Sequence, residues 1–283
     1  MTMGEALDLG ERELTEAGIE DGGEEAKILL SELTGIGRLD FFLKKEESLS
    51  EDIKRQYLTF LEKRKKRIPL QMILGYTEFM GLQFEVSPAT LVPRADTEVV
   101  CETALLYLTE GSTILDLCTG TGCVLLSLLK MREGTSGVGT DISADAVELS
   151  EINAKRLGLS GRAKFLKGDL YAPLPAGSCF DLIIANPPYI KSDVIKDLMP
   201  EVRDYEPRRA LDGGADGLIY YRRIAADAKK FLAPSGLLLF ETGYDQGEQV
   251  TEILKENGFS NIILKKDYGG NVRVCGGFLQ REP

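Results

Sequence analysis

Apolar positions along this chain change their spacing twice, and each change marks a boundary. Over residues 1–67 the spacing is helical. Leu7, Leu14 and Ala17 fall near one face, and Ala26, Leu29, Leu30 and Leu33 repeat the pattern. Gly22-Gly23 and Gly35-Ile36-Gly37 punctuate these helices. Ser50 is placed to N-cap a further helix through Ile53, Tyr57, Phe60 and Leu61. That helix ends in the run Lys63-Arg64-Lys65-Lys66-Arg67. The run reads either as a solvated helix end, whose cations suit the negative C-terminal dipole, or as a contact to an acidic partner or RNA. A small helical bundle over 1–67, with a substrate-docking role, is expected.

Ile68-Pro69 ends the helical pattern. Residues 70–92 alternate apolar and polar around Gly75 and Gly81, so 68–92 is expected to be a β-hairpin linker. A third regime begins at Pro93-Arg94 with a helix to about Leu108 and continues to residue 283. Strands are predicted at 112–117, 137–140, 163–166, 180–185 and 237–241. Helices are predicted at 121–131, 144–157, 216–232 and 246–257. Alternation of this kind builds a doubly wound parallel sheet. The closing pair, 261–265 and 272–279, has no helix between its strands and predicts one antiparallel strand.

Composition narrows the chemistry. The 283 residues contain no histidine, which removes imidazole acid–base catalysis and imidazole metal ligands, and no metal site is expected. Net charge is −11, which argues against a general grip on nucleic-acid backbone. Five scattered cysteines form no C-x-x-C pair and fit reduced thiols in a cytoplasmic protein. The N-terminus lacks an apolar core of signal-peptide type, and no apolar run reaches membrane-spanning length, so no membrane contact is expected.

The candidate chemistry gathers at predicted strand ends. Residues 180–185 run into Asn186-Pro187-Pro188-Tyr189. Neither proline can donate to a sheet ladder, so the strand stops abruptly with a stiffly held amide. Ligands of open α/β sheets bind beyond such strand ends. Cys118-Thr119-Gly120-Thr121-Gly122 joins the first strand of this region to its helix, and its glycines let backbone approach a ligand. The dinucleotide pattern G-x-G-x-x-G is absent, which disfavours NAD or FAD. Asp141, after the second strand, suits two ribose hydroxyls. Asp169 suits an adenine amino group, with Leu170 against the ring. Each residue also has an ordinary structural use as a turn or helix-start residue. Together they describe a site for an adenosine without a pyrophosphate, and S-adenosyl-L-methionine is the expected cofactor.

The chain resembles the release-factor glutamine methyltransferases, the HemK/PrmC-type protein-(glutamine-N5) methyltransferases. The likeness rests on Pro69-Leu70-Gln71, Val92-Pro93-Arg94 with Asp96-Thr97-Glu98, and Asp116 to Gly122. It rests also on Asn186 to Ile190, Glu206-Pro207 with Ala210-Leu211, and Gly213-Gly214 with Asp216-Gly217-Leu218. Glu241 with Gln246, and Lys266-Asp267 with Arg273, complete it. Two positions depart from the family: Cys118 stands where it usually has glycine, and Leu170 where an aromatic is common. The resemblance implies a seven-stranded class I S-adenosylmethionine-dependent methyltransferase domain of Rossmann-like fold, preceded by a helical domain and a hairpin. It also implies that the substrate is the Gly-Gly-Gln glutamine of peptide-chain release factors in translation termination.

The amide nitrogen of glutamine is a weak nucleophile because its lone pair is delocalised. Asn186 Oδ1 and the Pro187 carbonyl are the expected acceptors for its two hydrogens, with Tyr189 as a wall against the amide plane. Cys118, Thr119, Gly120, Thr121, Gly122, Asp141, Asp169, Leu170 and Asn186 are expected to bind cofactor. Asn186, Pro187, Pro188 and Tyr189 are expected to bind substrate. A monomer with no stable nucleic-acid partner is expected. Two other readings stay open: N6-adenine methylation of DNA or RNA, and a non-catalytic cofactor-binding protein that docks a partner.

Overall fold

The structure is a computed structural model and describes residues 1–37 and 40–279; residues 38–39 of the expected bundle and 280–283 of the expected catalytic domain lie outside them. Two compact units divide the chain: Met1–Gly75 with Met199–Tyr205, and Tyr76–Leu198 with Glu206–Pro283.

The first unit contains α1 (Met3–Glu16), α2 (Gly22–Thr34), α3 (Phe41–Lys44), α4 (Glu51–Lys65) and α5 (Leu70–Leu74). Thr2 and Glu5 close a capping box at α1 that was not expected from the sequence; at the start of α4 the Ser50 hydroxyl accepts from Ile53 N, as the sequence predicts. Ala6, Leu14, Ala26, Leu29, Leu30, Tyr57 and Leu61 form its core. The cationic run at the end of α4 is only partly a solvated helix end: Lys63 and Lys66 are exposed, but the others are not. Arg64 is only 5% exposed and pairs with Glu25 at 2.5 Å and with Glu201 at 2.8 Å. Arg67 reaches the other Glu201 oxygen at 2.8 Å, and Tyr205 Oη donates to the Lys66 carbonyl. A buried guanidinium requires carboxylate partners, and the distant segment Met199–Tyr205 supplies one.

The hairpin is shorter than the alternation from residue 70 predicts. Leu70–Leu74 forms the helical turn α5, which Gly75 ends at φ 84°. The hairpin proper is β1 (Tyr76–Phe79) and β2 (Leu82–Glu85). Its Phe79 and Phe84 are fully buried in the second unit's core.

The second unit continues with α6 (Ala95–Leu105), β3 (Thr113–Leu117), α7 (Cys123–Met131), β4 (Ser136–Asp141), α8 (Ala144–Arg156), β5 (Ala163–Lys167) and β6 (Phe180–Ala185). The helix Pro200–Tyr205 is α9 and belongs to the first unit. The second unit then resumes with α10 (Ile219–Ala228), β7 (Leu232–Glu241), α11 (Gly247–Glu256), β8 (Phe259–Lys266) and β9 (Val272–Leu279). The seven strands lie in the order β5-β4-β3-β6-β7-β9-β8, with β9 antiparallel to both neighbours and the other pairs parallel. Helix α10 begins later than the predicted 216, because Gly217 takes φ 76° and Asp216 accepts from Leu218 N just before it. Strand β7 begins earlier than the predicted 237, since Leu232 pairs with Phe180 ahead of the irregularity at Pro234-Ser235-Gly236.

Alternate residues of the central strands face opposite layers, as the two-residue side-chain period requires. Ile114, Leu182, Ile184 and Leu239 pack beneath α6 and α7; Leu115, Leu117, Ile183 and Phe240 pack against α10 and α11. Strand order reverses between β3 and β6, so their carboxyl ends diverge into a crevice.

Candidate functional site

Register fixes which residues meet there. Leu117 lies opposite Thr140 on one side and Ala185 on the other, and Ala185 lies opposite Phe240. The next residue on each of β3, β6 and β7 is therefore Cys118, Asn186 and Glu241, side by side at one rim. A cleft opens above this rim. Of the residues expected to form the site, Cys118, Thr119, Gly120, Thr121, Asp141, Asp169, Leu170, Asn186 and Pro188 line it. Gly122, Pro187 and Tyr189 adjoin these residues in sequence and are not part of the lining itself.

The glycine-rich turn is held from below. The Thr119 hydroxyl donates to Asp116 Oδ2 at 2.6 Å, and Asp116 is buried. Burial pushes the Asp116 carboxyl up to about 7, against the opposing bonds from Thr119 and the Leu125 N–H. Gly122 has φ 77°, and a Cβ there would lie 3.0 Å from Ser150 and 3.2 Å from Phe165. Cys118 adopts φ 61° although it carries a side chain. Left-handed backbone costs a non-glycine residue roughly 1 kcal/mol, which accounts for the glycine usual at this position in the family the chain resembles.

Asp141 is tied to backbone on both sides. Its Oδ2 accepts from Gly120 N at 3.0 Å and its Oδ1 from Ser143 N at 2.9 Å. Burial raises its carboxyl, while these N–H groups and Arg209 act the other way. Asp169 is exposed at the cleft rim, with Oδ2 on Arg223 at 2.6 Å. Leu170, at φ 51°, is buried in one core cluster with Leu115 and Leu117 while also lining the cleft. The donor set suits the expected adenosine: carboxylates beside one lining cation, Arg209, which is bonded to Ser143 Oγ at 2.8 Å, and two buried hydroxyls, Thr90 and Thr140, that line the cleft without partners among the described residues. No cluster of metal-ligating side chains occurs among the described residues.

The Asn186 end is built from side chains. Asn186 Nδ2 donates to Thr97 Oγ1 at 3.4 Å, leaving Oδ1 without a partner among the described residues. Tyr189 Oη donates to Glu241 Oε1 at 3.2 Å. Glu241 is 2% exposed, and its burial raises the carboxyl to about 7 against Thr97, Arg273 and Tyr189. Gln246 Nε2 donates to the Tyr189 carbonyl at 3.0 Å, and a Cβ at Gly217 would lie 2.4 Å from that same oxygen. Arg94 meets the buried Glu206 at 2.7 Å, joining the Pro93-Arg94 and Glu206-Pro207 stretches. Thr97, Glu241, Gln246 and Arg273 were present in the sequence only as points of resemblance. No spacing rule could place them behind Asn186, because they come from four separate elements.

Comparison with known proteins agrees along the whole chain. A family model described as PrmC N-terminal domain matches residues 5–75, and one described as methyltransferase domain matches residues 108–272. The release factor glutamine methyltransferase of Agrobacterium fabrum is 42% identical over 279 residues, covering 96% of each chain. That of Moorella thermoacetica is 40% identical over 285 residues, covering 100% of both. A methyltransferase crystal structure from Pyrococcus furiosus shares the fold, with TM-score 0.54 at 17% identity over 81% of this chain and 98% of its own. With a seven-stranded class I methyltransferase sheet, a helical unit ahead of it and full-length relatives of this identity, the chain belongs to the release factor glutamine methyltransferase family.

Proposed function

We propose that this enzyme methylates the N5 amide nitrogen of the Gly-Gly-Gln glutamine in peptide-chain release factors, with S-adenosyl-L-methionine as donor. One observation carries the site assignment: Asn186, with Oδ1 free, stands at the end of the strand adjacent to the glycine-rich turn. Donor and acceptor sites therefore share one crevice. When bound, the cofactor supplies a methyl group on a positively charged sulfur. Cys118 to Gly122 approach it through backbone, Asp141 takes ribose hydroxyls on its remaining lone pairs, and Asp169 and Leu170 border the adenine.

On the acceptor side, Asn186 Oδ1 and the Pro187 carbonyl accept the two hydrogens of the substrate amide. Pro187 has no N–H to compete. Two acceptors set off the amide plane favour a pyramidal nitrogen whose lone pair faces the methyl group. Catalysis is then positioning and fixed electrostatics. The proton leaves to water after transfer. The Tyr189 hydroxyl is engaged with Glu241, so its part is to brace Pro187-Pro188 while its ring borders the substrate.

The proposal extends to partners and place. The helical unit docks the protein substrate, the chain works as a monomer, and no nucleic acid is held stably, in keeping with the −11 charge. The cytoplasm, where release factors act, suits its five free cysteines; no helix among the described residues is long and apolar enough to cross a membrane. Mass spectrometry of a release factor incubated with enzyme and donor tests the reaction. One methyl group on the loop glutamine is expected. Transfer to adenine in DNA or RNA, with none to the release factor, would replace this reading.

A further inference from the structure

The side chain behind Asn186 and Tyr189 is a carboxylate, and the mechanism above gives it no part. Glu241 ends β7 one strand away from Asn186 and is enclosed on every side. From the loop after β6, Tyr189 donates to its Oε1 at 3.2 Å. From α6, the Thr97 hydroxyl faces it, with Asp96 beyond. From β9, Arg273 lies near it while pairing with Asp96 and Asp267. Cys101 of α6, Cys123 of α7 and Tyr221 of α10 complete the titratable groups around it, and burial holds all three in their neutral forms. Glu241 Oε2 is buried without an ordinary hydrogen bond.

This arrangement has a direction. A Thr97 oxygen that accepts from Asn186 Nδ2 must send its own proton elsewhere, and the neighbouring acceptor is Glu241. An ionised carboxylate can accept from Tyr189 and Thr97 together. A protonated carboxyl, or an amide in its place, presents a donor to Thr97 instead. The threonine proton then turns toward Asn186 and draws Oδ1 away from the cleft. We propose that Glu241 is a positioning residue for methyl transfer: through Thr97 it fixes the Asn186 amide with Oδ1 toward the acceptor nitrogen, and through Tyr189 it braces Pro187-Pro188. The inference rests on the proposed role of Asn186.

The test measures kcat, KM for a release factor and the dissociation constant for S-adenosyl-L-methionine, from pH 5.5 to 9, in wild type, Glu241→Gln, Thr97→Val and Thr97→Ser. Wild-type kcat should fall about tenfold per pH unit below about 7, as loss of one ionised group requires. Asp116 also titrates near 7, but it lies under the cofactor turn, so saturating donor separates the two. Glu241→Gln should lower kcat by roughly ten- to a hundredfold and flatten that limb, with KM and donor affinity within about threefold. Thr97→Val, nearly isosteric, should reproduce the loss, and Thr97→Ser should restore most of it. A Thr97→Val enzyme with wild-type kcat overturns the inference, even if Glu241→Gln fails to fold. So does Glu241→Gln with unchanged kcat and pH profile. Wild type inactive on release factors would instead overturn the function itself.

Discussion

The two halves of the crevice are built differently. On the proposed cofactor side, backbone does most of the holding: a turn with left-handed residues at Cys118, Gly120 and Gly122, and a carboxylate, Asp141, bonded to two backbone N–H groups. On the proposed acceptor side, side chains do the holding: Asn186 on Thr97, Tyr189 on Glu241, and Gln246 on the backbone carbonyl of Tyr189. A flexible donor with many polar atoms can be gripped by a surface of many small contacts. A weakly nucleophilic amide must be held at one angle, and that demands groups whose orientation is itself fixed. The acceptor half should therefore be brittle and the cofactor half forgiving.

Substitutions can break this contrast. Asn186→Ala should raise the barrier by roughly 2–4 kcal/mol, the scale of losing an oxyanion-type contact, while donor affinity by calorimetry stays near wild type. Near-normal turnover would end the proposed role of Asn186. Asp141→Ala should weaken donor binding by roughly 1.5–3 kcal/mol, the usual worth of hydrogen bonds to a charged group, and leave kcat at saturating donor largely intact. A collapse of kcat there would mean the halves are not separable.

Acidity sharpens the contrast more gently. The folded Asp116 carboxyl sits at about 7, above its unfolded value, so its contribution to stability is full below the unfolded pKa and is lost as pH rises through 7. Stability of the wild type should drop between pH 5.5 and 8 by on the order of 2 kcal/mol from this group, and Asp116→Asn should reduce the drop. Chemical denaturation at the two pH values measures it. The smallest effect belongs to Cys118→Gly. Release of left-handed strain and loss of a partly buried side chain oppose each other, so stability and donor affinity should both stay within about 1 kcal/mol of wild type.

The legible parts of the proposed site were those at strand ends. Asn186 directly follows β6, Asp141 closes β4 and Asp169 stands two residues past β5, and a strand that must stop exposes the residues at its end. Leu170 illustrates the limit: its position after β5 was readable, but not that it joins the core cluster as well as lining the cleft. The same limit applies to the cationic run of α4, where composition implies water and the structure supplies Glu25 and Glu201.

By itself the sequence determined the periodicities, hence the helices, the strands, the parallel sheet with its antiparallel close, and the crevice at their carboxyl ends. These depend on local spacing, which a chain carries wherever it folds. Only the tertiary structure decided that Met199–Tyr205 completes the first unit, that the hairpin buries Phe79 and Phe84 in the second, and that Glu241, Thr97 and Gln246 stand behind Asn186 and Tyr189. Those pairings join residues far apart in the chain. Burial and hydrogen-bond satisfaction select them, and neither quantity exists until the elements have packed.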